Sequence, residues 1–478
     1  MIDQHFTRHS SKGDVDTNPN PVIAGRGSLL ACLDQQTRLT GNQWRVITAA
    51  ILGDMLEFFD YFVVGFVLAF VVGPWHLSFG QSAVILLSSG LGAMGGAIVY
   101  GRLADRFGRR KVFLATVVNF SLASGALAFT PDHGWMYLSV FRFIVGFGVG
   151  GLYCVDLPLT QEFVPASKRG LVGGLVTAAV PVGMLLGSVI AAFLSNWIGW
   201  RGLFGVGLAP ALLTLLIRAW VPESPHWLLS VGRGDEARRS IAWALEVDPW
   251  TLPAAPEPMR RMPFGVRDLF SYPRRVALTW IINLAAQTGY YGFLMWAPTL
   301  FVLQLGVSPA RASFLMIFVT LAGFSGRIFF SILADRIGRR ACGAMAGFGG
   351  ALLLTAAAFG HAVTIGALSV FVIGLIFANV FVDGAFAVVG PYSSEIWPSS
   401  LRATGMGWAY GIGGLGKIIG PLGLALIVGS SNMINPAASL ASLIPAFCFL
   451  ATCYLVAGLS FLLFGIETRG AALEAMGG

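Results

Sequence analysis

The sequence predicts an all-α integral membrane protein of twelve transmembrane helices, arranged as two pseudo-symmetric six-helix bundles. Three observations carry that expectation. Only 11% of the 478 residues are charged and 56% are hydrophobic, against roughly 25% charged in an ordinary globular chain, so the polar surface that a water-soluble body needs is missing. Apolar segments begin near positions 46, 82, 112, 135, 171, 200, 276, 311, 342, 366, 402 and 439, each with the ~20 residues that a helix needs to cross a ~30 Å hydrocarbon layer. Finally, two motifs recur at almost one offset. Composition therefore sets aside a solvated enzyme, a disordered scaffold and a secreted disulfide domain. The five cysteines (Cys32, Cys154, Cys342, Cys448 and Cys453) show no CxxC spacing and read as small packing residues, with no metal or redox framework.

Taken in chain order, residues 1–45 form a polar tail with no apolar stretch ahead of the first span, so no cleavable signal peptide is expected. Residues 46–221 hold the first six spans and 276–465 the second six. Between them, 222–275 is a loop with a charged helical stretch, Asp235 to Leu245, followed by the Pro-rich joint DPWTLPAAPEP. Residues 466–478 form the C-terminal tail. The net charge of +8 could signal nucleic acid, but clustering decides otherwise. Of the 31 Lys and Arg, 27 fall in or beside the tails and the even-to-odd connections; Arg201 and Arg311 flank the opposite loops, and Arg142 and Lys417 lie inside spans. By the positive-inside rule both termini are cytoplasmic, and the partner of the surface is a lipid bilayer of the cell (inner or plasma) membrane, with no nucleic acid. A monomer is the expected functional unit.

The repeat is explicit. GAIVYGRLADRFGRR at 96–110 returns as GRIFFSILADRIGRR at 326–340, 230 positions on, and PLTQEFVPASKR at 158–169 returns as PYSSEIWPSSLR at 391–402, 233 positions on. Two unrelated motifs recurring at nearly the same offset indicate duplication. GRLADRFGRR resembles the loop 2–3 signature of the major facilitator superfamily, which implies the twelve-helix, six-plus-six fold. PESPHWLL (222–229) and IETRG (466–470) are similar to segments of sugar porters and aromatic-acid symporters. GYYGFLMWAPTLF (289–301) and RATGMGWAYGIGGLGKIIGP (402–421) resemble spans seven and eleven of the aromatic acid:proton symporters, whereas LEFFDYFVVGF (56–66) looks closer to the first span of metabolite:proton symporters.

At the cytoplasmic ends, Gly101, Asp105, Arg106, Gly108, Arg109 and Arg110 recur in part as Asp335, Arg336, Gly338, Arg339 and Arg340. Asp105 and Asp335 are placed to accept hydrogen bonds from helix N-termini or to pair with nearby arginines. With Glu162, Arg169, Glu395 and Arg402 they are expected to form a charge network that closes a cytoplasmic gate in one state and parts in another. Plain positive-inside anchoring would need only Arg and Lys, so the duplicated acids favour the gate.

Inside the membrane an ionisable side chain costs ~2.5–3.5 kcal/mol at mid-helix, which makes each one a functional candidate. Asp54, Glu57 and Asp60 are spaced i, i+3, i+6 on the first span and sweep ~120° of one side. Asp60, near mid-depth, is the first choice as proton carrier and Glu57 the second, while Asp54 lies toward the cytoplasmic end. A static ion pair is the rival explanation. Arg142 opens RFIVGFGVGG, in which Gly146, Gly148, Gly150 and Gly151 allow close helix approach. The family resemblance points this arginine toward Asp60, a pair whose breaking would restore the proton affinity of the acid. Asp156 is expected at the gate.

The second half supplies the expected substrate lining: Asn283, Gln287, Tyr290, Tyr291 and Trp296 on span seven, where Pro298 breaks the ladder, with Asn379, Asp383 and Trp408 in addition. Tyr and Trp with few charges suit a planar, partly apolar solute, although a lipid-facing belt would also explain the outer ones. In aromatic-acid symporters the GxG of span eleven is followed by Arg, which would fall at Gly414. Here the cation stands three residues later, and Lys417 is the expected carboxylate-binding charge, with Asp383 open to pairing with Lys417 or Arg142.

The resulting expectation is a proton-coupled symporter that imports a small organic anion, an aromatic or other monocarboxylate, by alternating access, with protons as the coupling ion and no other cofactor. A proton-coupled sugar or polyol transporter, a drug-efflux antiporter and a transporter-like receptor are the alternatives. An enzyme is not expected: no HExxH, GxSxG or His-pair motif occurs in a span, and His5, His9, His76, His133, His226 and His361 lie in tails, loops or at span ends.

Overall fold

The computed structural model describes residues 29–153, 155–209, 220–254, 266–366, 368–397, 401–432 and 436–468. Among them the architecture is helical, apart from one antiparallel hairpin in which Thr364–Ile365 pairs with Leu368–Ser369. The spans are, in order, Gly41–Val71, Phe79–Phe107, Arg109–Leu127, Trp135–Tyr153 with the short continuation Asp156–Glu162, Arg169–Thr177 with Ala179–Phe193, and Ser195–Val206, beyond which the sixth span is not described. The second half repeats them as Pro273–Leu305, Pro309–Ile337, Arg339–Phe359, Val370–Glu395, Arg402–Gly414 with Gly416–Val428, and Pro436–Phe464. The fold is an integral-membrane arrangement of two six-helix halves. Among the described residues seven helices are long and apolar enough to cross a bilayer, and the first and seventh spans, which are longer still, carry the buried acids and the polar aromatic residues instead.

Local chemistry sets where the helices start. Thr40 and Gln43 form a reciprocal capping box at the first span, as do Ser78 and Gln81 at the second, each satisfying backbone donors that a helix start leaves open. Ser308 caps the eighth span, with Pro309 at its first position. The third and ninth spans begin differently. Gly108 and Gly338 stand just before them with φ of 101° and 96°, a conformation that glycine adopts without a Cβ penalty. The tenth span starts at Val370, later than 366, because the hairpin occupies the residues before it.

Packing within the first half is closest between spans two and four. A Cβ built on Gly92 or Gly96 would lie 2.0 or 1.8 Å from the carbonyl oxygens of Phe143 and Phe147, and one on Gly146 or Gly150 would lie 2.0 Å from those of Ser89 and Ala93. Backbone therefore rests on backbone, and van der Waals contact holds helices that lipid does not drive together. The halves meet through spans two and eleven, five and eight, and one and seven. At the end remote from the basic loops this contact includes main chain: the Phe79 N–H donates to the Asn432 carbonyl at 3.0 Å and the Gly80 N–H to that of Ser430 at 2.9 Å. Phe79 also lies against Trp296, with ring centroids 5.7 Å apart.

Two expectations need correction here. The seventh span continues as one helix through Pro298, short only of the single hydrogen bond that the proline cannot donate, and its neighbours there are buried. Arg327 is not a loop cation. It sits eleven residues before Gly338, three turns inside the eighth span.

Candidate functional site

Within the first half, the fully buried Asp60 faces the equally buried Arg142, with Nη1 3.6 Å from Oδ2. The guanidinium also donates to the main-chain carbonyls of Asp60 at 2.8 Å and Tyr61 at 2.9 Å, and the Ser124 hydroxyl donates to Asp60 Oδ1. The rigid fork of Arg142 thus holds two successive carbonyls of the first helix beside the carboxylate, a task the point charge of lysine could not share. Removing either partner from a buried pair leaves an uncompensated charge worth about 3–5 kcal/mol.

Glu57, one turn away and also buried, faces a different cation, Lys417 of the eleventh span. The Lys417 ammonium lies 5.1 Å from the ring centroid of Tyr61 and 5.2 Å from that of Tyr291. One ring comes from each half. Tyr61 and Tyr291 meet edge to face at 5.4 Å, Phe62 stacks on Tyr291 at 5.9 Å, and Tyr290 adjoins Tyr291 at 5.3 Å and Phe386 at 4.9 Å. A cation beside desolvated aromatic rings gains up to ~2 kcal/mol and is held in place. Gln287 is buried against the glycines of the eleventh span, a Cβ on Gly413 falling 2.2 Å from its Nε2. Among the described residues neither its amide oxygen nor its amide nitrogen has a hydrogen-bond partner. Such atoms are costly unless something else satisfies them.

Asp383 pairs with neither Lys417 nor Arg142: Arg327 Nε donates to its Oδ1 at 2.6 Å. The Arg327 guanidinium also lies over the Phe386 ring at 5.6 Å. Asn379 donates to the Val319 carbonyl at 2.7 Å, and its Oδ1 is unpartnered. Asn283 is satisfied within its own half by Thr279 and Ser393, both at 2.8 Å, which makes it a tie between spans seven and ten. Both tryptophans are displaced from the expected lining. Trp296 donates to the Pro421 carbonyl at 3.3 Å and lines a small apolar pocket with Phe79, Leu300 and Phe447. Trp408 is 41% exposed and stacks on Trp280, two and a half turns from Lys417. Tyr61, Phe62, Ser124 and Arg327 are the residues that sequence reasoning missed. Tyr61 and Phe62 directly follow Asp60, and that adjacency was the available signal.

At the basic end the structure shows two matching networks, whose described ion pairs each join residues of one half. Arg109 pairs with Glu162 at 2.9 Å, and Arg339 pairs with Glu395 at 3.3 Å. The helix N-termini are capped by neither Asp105 nor Asp335. Glu223 accepts from the Arg110 N–H at 3.0 Å, and Glu467 accepts from those of Arg339 at 2.9 Å and Arg340 at 3.2 Å. The residue after each cap then reaches the paired acid: the Ser224 hydroxyl donates to Glu162, and the Thr468 hydroxyl donates to Glu395 at 2.7 Å. Asp335 pairs with Arg339 at 2.7 Å, whereas Asp105 is exposed and offers only its carbonyl, to Trp227 Nε1 at 2.9 Å. Arg106 lies over the Phe107 ring, Arg336 is exposed, Arg340 donates to the Leu462 carbonyl, and Arg169 donates to that of Gln161. Gly101 has open space beside it. The Arg402 side chain and Cys154 lie outside the described residues. Asp156, expected at the gate, is instead buried beside Asp54.

A family model described as sugar (and other) transporter matches residues 46–477. The chain is 32% identical over 434 residues to the niacin transporter NiaP of Acinetobacter baylyi, covering 89% of this chain and 94% of that protein. It is 28% identical to the 4-hydroxybenzoate transporter PcaK of Pseudomonas putida, covering 82% and 88%. Among solved structures, the partially occluded inward open conformation of the xylose transporter XylE from E. coli superimposes with a TM-score of 0.69 at 21% identity, covering 91% of this chain and 100% of that one.

Proposed function

The chain belongs to the sugar (and other) transporter family of the major facilitator superfamily, a family of membrane transporters and not of enzymes; from that premise we propose that it imports a small aromatic monocarboxylate together with a proton. The observation that carries this reading is the position of Lys417, a cation between two tyrosine rings contributed by opposite halves. A carboxylate would take the ammonium, and the plane of an aromatic ring would take the tyrosine faces. Gln287, with both amide atoms unpartnered, suits a second polar group on that ring, such as a phenolic hydroxyl or a pyridine nitrogen. Niacin and 4-hydroxybenzoate, named for two relatives, each combine those features.

Proton coupling follows from the buried Asp60–Arg142 pair. With the ion pair formed the carboxylate is stabilised as the anion, and with the pair parted an acid in this dry site takes up a proton. Alternating access between the halves converts that exchange into transport. The membrane is the cell (inner or plasma) membrane, with both termini cytoplasmic, a reading supported by the basic residues at the end where Thr40 and Glu467 lie. No cofactor beyond the proton is required, and one copy of the chain supplies every residue named.

The test is a counterflow and uptake screen in proteoliposomes across nicotinate, 4-hydroxybenzoate, benzoate, shikimate, a dicarboxylate and xylose. Aromatic monocarboxylates should exchange and should accumulate when the outside is made acidic. Exchange of xylose with no exchange of any aromatic acid would sink the substrate class, and accumulation indifferent to the pH gradient would sink the coupling.

A further inference from the structure

Asp60 is not the only buried acid of the first half. Asp54 is 2% exposed and Asp156 is 1% exposed. They come from different elements. Asp54 precedes Asp60 by six residues on the first span, and Asp156 opens the short helix that follows the break in span four and packs on the first span. Their carboxyl groups adjoin each other. Two carboxylates side by side and shut away from water cannot both stay ionised, so the pair is stable only while one of them carries a proton. Among the described residues Asp54 Oδ1 has no hydrogen-bond partner, and neither does Glu57 Oε2 one turn along. The charged groups within reach of the pair are Glu57 on the same helix and, acting in turn on Glu57, Lys417. Arg142 is committed to Asp60 and to the carbonyls of Asp60 and Tyr61.

We propose that Asp54 and Asp156 form a second proton-binding site, a carboxyl pair that holds one proton and passes the coupling proton between Asp60 and the basic end of the protein. The inference rests on the proton-coupled reading of Asp60. As Asp60 gives up its proton and pairs with Arg142, Glu57 takes that proton and hands it to the ionised member of the pair, whose partner releases the proton it held to water at the basic end. One proton enters and one leaves, and the pair ends with a single proton, as it began. Asp156 is thereby a proton-transfer residue on an element that moves with the fourth span, and the route exists only while that segment lies against the first.

Two measurements on the full-length protein reconstituted in lipid test this. The first needs no substrate: infrared spectra read the protonated carboxyl band at neutral pH. The parent and Asp60→Asn should show the band of the pair, and Asp54→Asn and Asp156→Asn should each lose it, because an amide can donate where the shared proton did. Retention of the full parental band in both single variants would overturn the proposal. The second uses nicotinate as the probe. In Asp156→Asn, uptake driven by a pH gradient should fall about tenfold while counterflow stays within about twofold, and Asp156→Glu should restore it. Gradient-driven uptake at the parental rate in Asp156→Asn would reduce the pair to a static contact. Asp60→Asn run in parallel separates the two ideas: if that variant still accumulates nicotinate, the coupling site is misassigned whatever the infrared arm shows.

Discussion

At the level of single residues, the proposed function divides coupling and binding between the ion pair of Asp60 and Arg142 and the cation of Lys417. Asp60→Asn mimics the protonated acid, so counterflow should persist within about twofold while accumulation against a gradient disappears. One proton moving with one monoanion carries no net charge, and uptake should therefore ignore the ~2.3 kcal/mol per charge that 100 mV would supply. Uptake at a clamped pH with an imposed potassium-diffusion potential checks this, and a voltage-driven rise would require a second proton. Lys417→Ala should raise the half-saturating concentration of the acid at least about tenfold, as expected for loss of a desolvated charge pair, with Lys417→Arg recovering part of it; equal binding by Lys417→Ala would leave the cation a mere counter-charge for Glu57. Arg327→Gln strands Asp383 and should cost about 3–5 kcal/mol, read as a lower melting temperature, with Asp383→Asn in the same chain returning most of it. These residues were unequally legible. An acid near mid-depth and an arginine within a span announce themselves by their cost, so Asp60 and Arg142 stood out. Arg327 did not, because it lies on the same helix as the loop arginines and a count by loop absorbed it. Trp408 was named for its company rather than its depth, and a residue type cannot say which face of a helix looks outward.

At the level of helices, glycine and glutamate do the positioning. Gly150→Leu would drive a side chain into the Ala93 carbonyl, 2.0 Å from where its Cβ must go, and should destabilise the contact of spans two and four by at least ~1–3 kcal/mol. A drop in melting temperature together with loss of counterflow is the expected readout, and an unchanged melting curve would mean that the helices can part freely. Removing a cap is milder. Glu467→Gln keeps an acceptor but loses the charge that favours a helix start, at about 0.3–1 kcal/mol, and should loosen the network of Arg339 and Glu395 rather than unfold the span. Helix starts were readable where the capping chemistry is local, as at Thr40 and Ser78. The caps of spans three and nine were not, because Glu223 and Glu467 arrive from over a hundred residues away; they were visible only as parts of PESPHWLL and IETRG, resemblances with no geometry attached.

At the level of the whole molecule, the halves touch through main-chain hydrogen bonds at one end, and at the other the described salt bridges each lie within one half. Rocking between the halves should therefore make accessibility reciprocal. In a chain with its native cysteines replaced, Trp75→Cys should react slowly and Arg169→Cys quickly in the conformation described here, and an added aromatic acid should change the two rates in opposite directions; rates that rise together would exclude rocking. The twelve-helix plan was legible because duplication and apolar length are properties of the chain as a string, whereas the assignment of ends to each state depends on contacts between residues hundreds of positions apart. The paired caps also bear on how such a chain arose. Glu223-Ser224 follows the sixth helix as Glu467-Thr468 follows the twelfth, and each pair fastens the third helix of its own bundle, so the ancestral unit that was copied included a trailing strap as well as six helices. A gene cut after Ala254 would leave each strap with its bundle, and the two polypeptides, made separately in one cell, should find each other and form a working transporter, whereas a cut placed before Glu223 should not.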